Sequence, residues 1–155
     1  MYTLAFVHNG SYFVSEIRVY QDGMIHCWDL VDFEGFKQKI TEGWVVTTLP
    51  NNAVVSVSRV ASFTATAINS ALKEEEFIKE VADVIEELNG RPTSMDKCRD
   101  AFQRFQNEQS EDAVQSLEAA YEAVPEHMRW FVLDELDMSI DDINAAFKRF
   151  QNKGP

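Results

Sequence analysis

The chain has 155 residues, of which 45% are hydrophobic and 18 are aromatic, and a formal net charge of −12. A chain of this length buries roughly 70% of its unfolded surface, so it can build a core without disulfide or metal, and intrinsic disorder is excluded. The negative field repels nucleic acid and anionic membranes and favours basic partners.

The first 70 residues have the period of strands. Tyr2–His8 and Ser11–Tyr20 flank His8-Asn9-Gly10, and Asn-Gly is a strong hairpin signal. Gln21-Asp22-Gly23 turns the second run into a third, Met24–Leu30. Phe13, Ile17 and Val19 share one face of the second strand, and Tyr12, Val14 and Tyr20 share the other. Apolar residues on both faces imply a sheet that is curled or covered on both sides. Asp32 is placed to cap a short helix whose Phe33, Phe36 and Ile40 form one stripe, and Gly43 ends it. Trp44–Leu49 and Ala53–Val60 are two further strands around Pro50-Asn51-Asn52. Ser62–Ser70 is small and β-branched, and reads equally as strand or as the start of a helix.

From Leu72 the period is helical. Phe77, Val81, Val84, Ile85 and Leu88 form a stripe, which Asn89-Gly90 and Pro92 close. Ser110 caps a helix with Glu111 and Asp112 in its first turn, and Pro125 starts another that carries Met128, Phe131, Val132 and Leu136. The expected architecture is α+β: an antiparallel, curled or barrel-like sheet of five strands with one inserted helix, then a helical lobe. The boundary is set at the change of period, with residues 1–70 in the sheet lobe and 71–155 in the helical lobe, the two packed as one unit. Residues 1–70 then carry a net −2 and residues 71–155 a net −10.

The most specific feature is a repeat. SMDKCRDAFQRFQN (94–107) returns as SIDDINAAFKRFQN (139–152), with eight of fourteen positions identical at an offset of 45. Ser94 and Ser139 stand as N-caps, and Asn107 and Asn152 close the helices. Cys98/Ile143, Ala101/Ala146, Phe102/Phe147 and Phe105/Phe150 fall on one buried face. A weaker likeness between VIEELN (84–89) and VLDELD (132–137) extends each copy to a helical hairpin. The repeat reads chiefly as architecture. Arg104 and Arg149 point away from the stripe, and a minority reading pairs them as a site for an acidic group.

Few constellations carry chemistry. In His26-Cys27-Trp28-Asp29 an extended strand puts His26 and Cys27 on opposite faces, which fails the geometry of an activated nucleophile. His8 or His127 could serve as the base instead, but nothing in the spacing assigns either. Trp28 is expected to pack on the helix at 33–40. Asp134-Glu135-Leu136-Asp137 lacks the ligand spacing of a calcium loop. Cys27 and Cys98 lie outside any metal-ligand spacing; buried, reduced thiols are the preferred reading, and a disulfide between them is the alternative. No cofactor motif is present, and metal ligands are expected to be absent. The N-terminus lacks the basic start and apolar run of a signal peptide, which with the absent membrane span sets a cytoplasmic expectation.

The leading functional expectation is a small acidic module of immunity or adaptor type that binds or inhibits a basic protein. Its partner-binding residues would be Glu74, Glu75, Glu76, Trp130, Arg104 and Arg149. A self-associating structural protein that uses Trp130 or a sheet edge is the first alternative. An enzyme with His26, Asp29 or Cys27 in a pocket between the lobes is the second.

Overall fold

Asn9 and Gly10 reverse the chain where that pair predicts, Gly10 at φ 74°. They join β1 (Tyr2–Asn9) to β2 (Ser11–Val19) in an antiparallel pairing that runs from Tyr2 opposite Arg18 to Asn9 opposite Ser11. The computed structural model describes residues 1–66, 72–108 and 110–151, except the side chains of Asp142, Ala146, Arg149, Phe150 and Gln151. β3 (Ile25–Cys27) pairs with the end of β2, β4 (Asp29–Val31) with β3, and β5 (Val45–Val46) with β1. These five strands, in the order β4-β3-β2-β1-β5, form a curled antiparallel half-barrel. The fold is α+β, and the helices of the described residues lie mostly in the C-terminal part.

A hairpin of β6 (Ala53–Val57) and β7 (Ala61–Ala65) follows. β6 joins β2 in a short parallel pairing, Tyr12 opposite Val55 and Phe13 opposite Ser56. The second edge of β2 is thus shared: β6 takes Tyr12–Phe13 and β3 takes Arg18–Val19. Curling lets one strand serve two neighbours in different directions.

Several strands differ from the sequence expectation. The run Met24–Leu30 breaks in two because Trp28 sits at φ 73°, so that Cys27 faces Asp29 across the turn. Trp44–Leu49 keeps only Val45–Val46 in strand pairing, and Ala53–Val60 ends at Val57. The undecided stretch from Ser62 is strand as far as Ala65, and residues 67–70 lie outside the described residues.

The chain divides into two compact units, Met1–Gly90 and Arg91–Pro155. The division falls after α2 (Glu74–Leu88), well beyond the change of period at residue 70. The reason is where α2 buries its stripe. Phe77 and Val81 are fully buried in one core with Val7, Ile17, Val19, Ile25, Cys27 and Val45 of the sheet, and with Phe36 of α1 (Phe33–Thr41). Val84, Ile85 and Leu88 pack against the same core. Each large side chain removed from water contributes about 1.5–3 kcal/mol, so the stripe ties α2 firmly to the sheet. Polar contacts fix its ends. Thr47 Oγ1 donates to the Leu72 carbonyl (2.6 Å) and Thr48 Oγ1 to Glu74 Oε1 (2.9 Å). Asn89 Nδ2 donates to the carbonyls of Gln21 (2.9 Å) and Ile85 (2.8 Å).

The second unit is helical: α3 (Ser94–Glu108), α4 (Glu111–Ala123), a 3-10 turn at Glu126–Met128, α5 (Arg129–Glu135) and α6 (Ile140–Gln151). Its core joins Cys98 and Phe102 of α3 to Val114 and Leu117 of α4, Val132 and Leu133 of α5, and Ile143 and Phe147 of α6. Cys98 and Ile143 are equivalent in the repeat, as are Phe102 and Phe147, and both pairs enter the same core. Because α2 packs in the sheet unit, the core of the helical unit is assembled from α3 to α6 and not from two matched hairpins. The cap of α3 also moves by one residue. Thr93, not Ser94, closes a box in which its backbone N donates to Asp96 Oδ2 (2.9 Å) and its hydroxyl accepts from Asp96 N (3.3 Å). Ser94 is buried.

Candidate interaction site

Dividing the chain where it packs redistributes the charge. Met1–Gly90 holds 6 basic and 13 acidic residues, and Arg91–Pro155 holds 8 and 13. The densest acidity is α2 itself, with Glu74, Glu75, Glu76, Glu80, Asp83, Glu86 and Glu87 against Lys79 alone. The helix can hold seven carboxylates because its apolar stripe is satisfied by the sheet and its remaining faces are polar. Glu74–Glu76 occupy its first turn, where the helix dipole favours negative charge.

The three glutamates are not equivalent. Glu75 is exposed, Glu74 accepts from Thr48, and Glu76 pairs with Lys79 at 3.0 Å with its side chain only 12% exposed. Glu80 accepts from Thr3 Oγ1 at 3.2 Å, which makes it part of the docking of α2 on β1. Glu87, in the last turn, is exposed like Glu75.

The other expected site residues lie in the helical unit. Arg104 is held by its own neighbours: Nε donates to Glu108 (3.0 Å) and Nη2 to Asp112 (2.6 Å), so it clamps the end of α3 to the start of α4. Those two carboxylates raise its pKa further, the hydrogen bond that Arg104 donates to Asp112 first. The side chain of Arg149 lies outside the described residues, so its pairing with Arg104 is not described. Trp130 is 56% exposed and lies against Phe131, with ring centroids 3.6 Å apart. Glu74–Glu76 and the Arg104/Trp130 group belong to different units.

The quartet at 26–29 takes a form that the sequence did not disclose. His26 is half-buried on β3, and Cys27 beside it is fully buried, with burial pushing its thiol pKa up. A protonated, inaccessible thiol is a poor nucleophile. Asp29 instead accepts from Lys39 Nζ of α1 at 2.7 Å, and that hydrogen bond raises the lysine pKa. The same ammonium lies 4.9 Å from the Trp44 ring centre. Trp28 packs on Phe13 (5.3 Å) and edge-on to Trp44 (5.9 Å), and α1 reaches the cluster through Lys39. The result is a half-open aromatic cluster of residues from β2, the β3–β4 turn and the start of β5. The Trp44 Nε1 hydrogen is buried with no acceptor among the described residues. Motif spacing could not find this cluster, because Phe13, Trp28 and Trp44 are distant in sequence.

Cys27 and Cys98 are both buried free thiols. Among the described residues no group of three His, Cys, Asp or Glu side chains is placed to hold a metal ion. Among them, too, no helix is long and apolar enough to cross a membrane.

Comparison with known proteins adds family membership alone. Residues 93–149 match the family described as Domain of unknown function (DUF7639). No curated protein and no solved structure matches the chain. Residues 2–92 match a second family, and the boundary between the two matches falls beside the structural division at Gly90. Since that match spans more than half of the chain, the protein belongs to the family described as Domain of unknown function (DUF7638).

Proposed function

We propose that the protein is a small cytoplasmic binding module, of immunity or adaptor type, that engages a basic protein through the acidic surface of α2. The observation that carries this reading is the composition of α2: seven carboxylates and one lysine on a helix anchored to the sheet along its whole length. A rigidly held helix of concentrated charge steers a basic partner and fixes its register with little loss of side-chain freedom. Glu75 and Glu87 lie 12 positions apart, about 18 Å along the helix axis, and bracket the surface.

The test is to immobilise the full chain and capture partners from the lysate of the source organism at low salt. The Glu75→Lys/Glu87→Lys variant should lose the retained basic protein. A control of equal charge change on the helical unit, Glu111→Lys/Asp134→Lys, should keep it. Equal loss from both variants would mean that net charge alone attracts the partner and would remove α2 from the proposal.

A further inference from the structure

The β6–β7 hairpin is an uncharged surface on a highly charged protein. The chain holds 14 basic and 26 acidic residues, yet between Glu42 and Lys73 the one charged residue is Arg59. In this stretch Val54 is 49% exposed, Val60 78% and Phe63 51%. β7 pairs with β6 on one side, and among the described strands nothing pairs with its other edge. An open edge presents a row of backbone donors and acceptors, and proteins usually blunt such edges with lysine, proline or a bulge. β7 reads Ala61-Ser62-Phe63-Thr64-Ala65 and has none of these in its span. Of the other two terminal strands in the sheet order, β4 carries Asp29 and β5 has only two residues.

We propose that β7 is a self-pairing edge: two copies of this chain join their β7 strands antiparallel about a two-fold axis at Phe63. The symmetry makes the strand its own complement. Phe63 faces its counterpart, Ser62 falls opposite Thr64, and Ala61 falls opposite Ala65. No like charges meet across the strand pair, and the aromatic pair contributes to cross-strand packing. Charge selects a second copy as the occupant. Two bodies of net −12 repel wherever acidic surface meets acidic surface, and the 43–72 segment, with a single arginine, is where that repulsion is least. A five-residue edge is short, which places the association among weak interfaces below ~1,200 Å².

The experiment is sedimentation equilibrium of the full chain over a wide concentration range, at low and raised salt, with hydrogen exchange read at residues 61–65. The wild type should rise from its monomer mass of 17.7 kDa toward twice that value. Raised salt should strengthen the association, because it screens the repulsion between copies. Binding of a basic partner at α2 has the opposite salt sign, so the two ideas fail separately. Phe63→Lys and Thr64→Lys should each return the chain to monomer, with a thermal transition unchanged at concentrations where the wild type is itself monomeric. If Phe63→Lys fails to fold, Thr64→Lys decides alone. A wild type that stays monomeric at every concentration overturns the proposal. So does a dimer that persists in Thr64→Lys, or one that leaves exchange at 61–65 unchanged, since either places a different surface or occupant at the contact.

Discussion

Trp28 meets Trp44 edge-on, with ring centroids 5.9 Å apart, from a backbone held at φ 73°. A tryptophan in the left-handed region carries a steric cost of about 1–2 kcal/mol, which Asn tolerates and a β-branched residue does not. The ring contacts with Phe13 and Trp44 offset that cost. Trp28→Val should therefore destabilise the chain more than Trp28→Asn, by about 1–2 kcal/mol, since both lose the ring but only valine strains the turn. Denaturant midpoints of the two variants check this, and equal midpoints would mean that the turn relaxes without cost.

Thr93 and Asp96 start α3 reciprocally, and the hydrogen bond from the Thr93 backbone, followed by that from its side chain, lowers the Asp96 pKa. A carboxylate with a depressed folded pKa contributes stability above its unfolded pKa of about 3.9 and loses it as pH falls through the folded value. Asp96→Ala should cost about 0.5–2 kcal/mol at neutral pH and little in strong acid. The check is the difference in unfolding free energy between wild type and variant across the acid range.

Cys98 behaves in the opposite sense. Burial pushes its thiol up to about 11, against small opposing effects of Arg99 and Arg129. The unfolded thiol ionises near 8.5, so the stability contributed by the protonated, buried form falls as pH rises from about 8.5 to about 11. Cys98→Ala should remove that part of the alkaline slope, seen as a difference between the two proteins' denaturant midpoints. In the native chain neither Cys27 nor Cys98 should react with an aromatic disulfide reagent until the protein unfolds, because both are buried.

If the repeat is architecture, its buried and exposed positions should separate sharply. Ile143→Ala should cost about 2–5 kcal/mol and Phe102→Ala about 3–5 kcal/mol, as large-to-small changes in a core do. Ile140→Ala, at a position 60% exposed in the same helix, should stay within about 0.5 kcal/mol. Arg104→Ala should leave the unfolding midpoint close to that of the wild type, as the loss of an exposed ion pair does. Thermal or chemical unfolding of the four variants checks the series, and a severe loss at Arg104 with none at Ile143 would contradict it.

The parts of the fold legible in the sequence are those decided locally. Asp32 accepts from Gly35 N (2.7 Å) and Ser110 from Ala113 N (3.2 Å), each as its cap position predicts. Gly10, Gly43 and Gly90 take the left-handed turns expected of them. The turn at Trp28 was illegible, because a tryptophan carries no turn signal and the ring packing that holds it comes from Phe13 and Trp44. The stripe of Phe77, Val81 and Leu88 shows which face of α2 is buried but not against what, so a boundary set at the change of period falls before the helix, whereas the compact units divide after it. For the same reason the change of period puts the acidity in the helical lobe, whereas its densest part belongs to the sheet unit. Of the candidate site residues, the placement of Glu74–Glu76 on the helix that begins near Leu72 is readable from the period, and their first-turn position is given by the structure. The Glu76–Lys79 pair follows from helical spacing, three positions apart, whereas the bond from Thr48 to Glu74 and the binding of Arg104 by Asp112 depend on tertiary placement.

The most direct measurement of the central claim is the affinity of the full chain for its captured basic partner as a function of salt, in the wild type and in Glu75→Lys/Glu87→Lys. Binding through α2 predicts an affinity that falls steeply as salt rises, from a screened charge–charge attraction, and a variant with weaker binding and a shallower slope. An affinity independent of salt, or a slope identical in both proteins, would contradict the account.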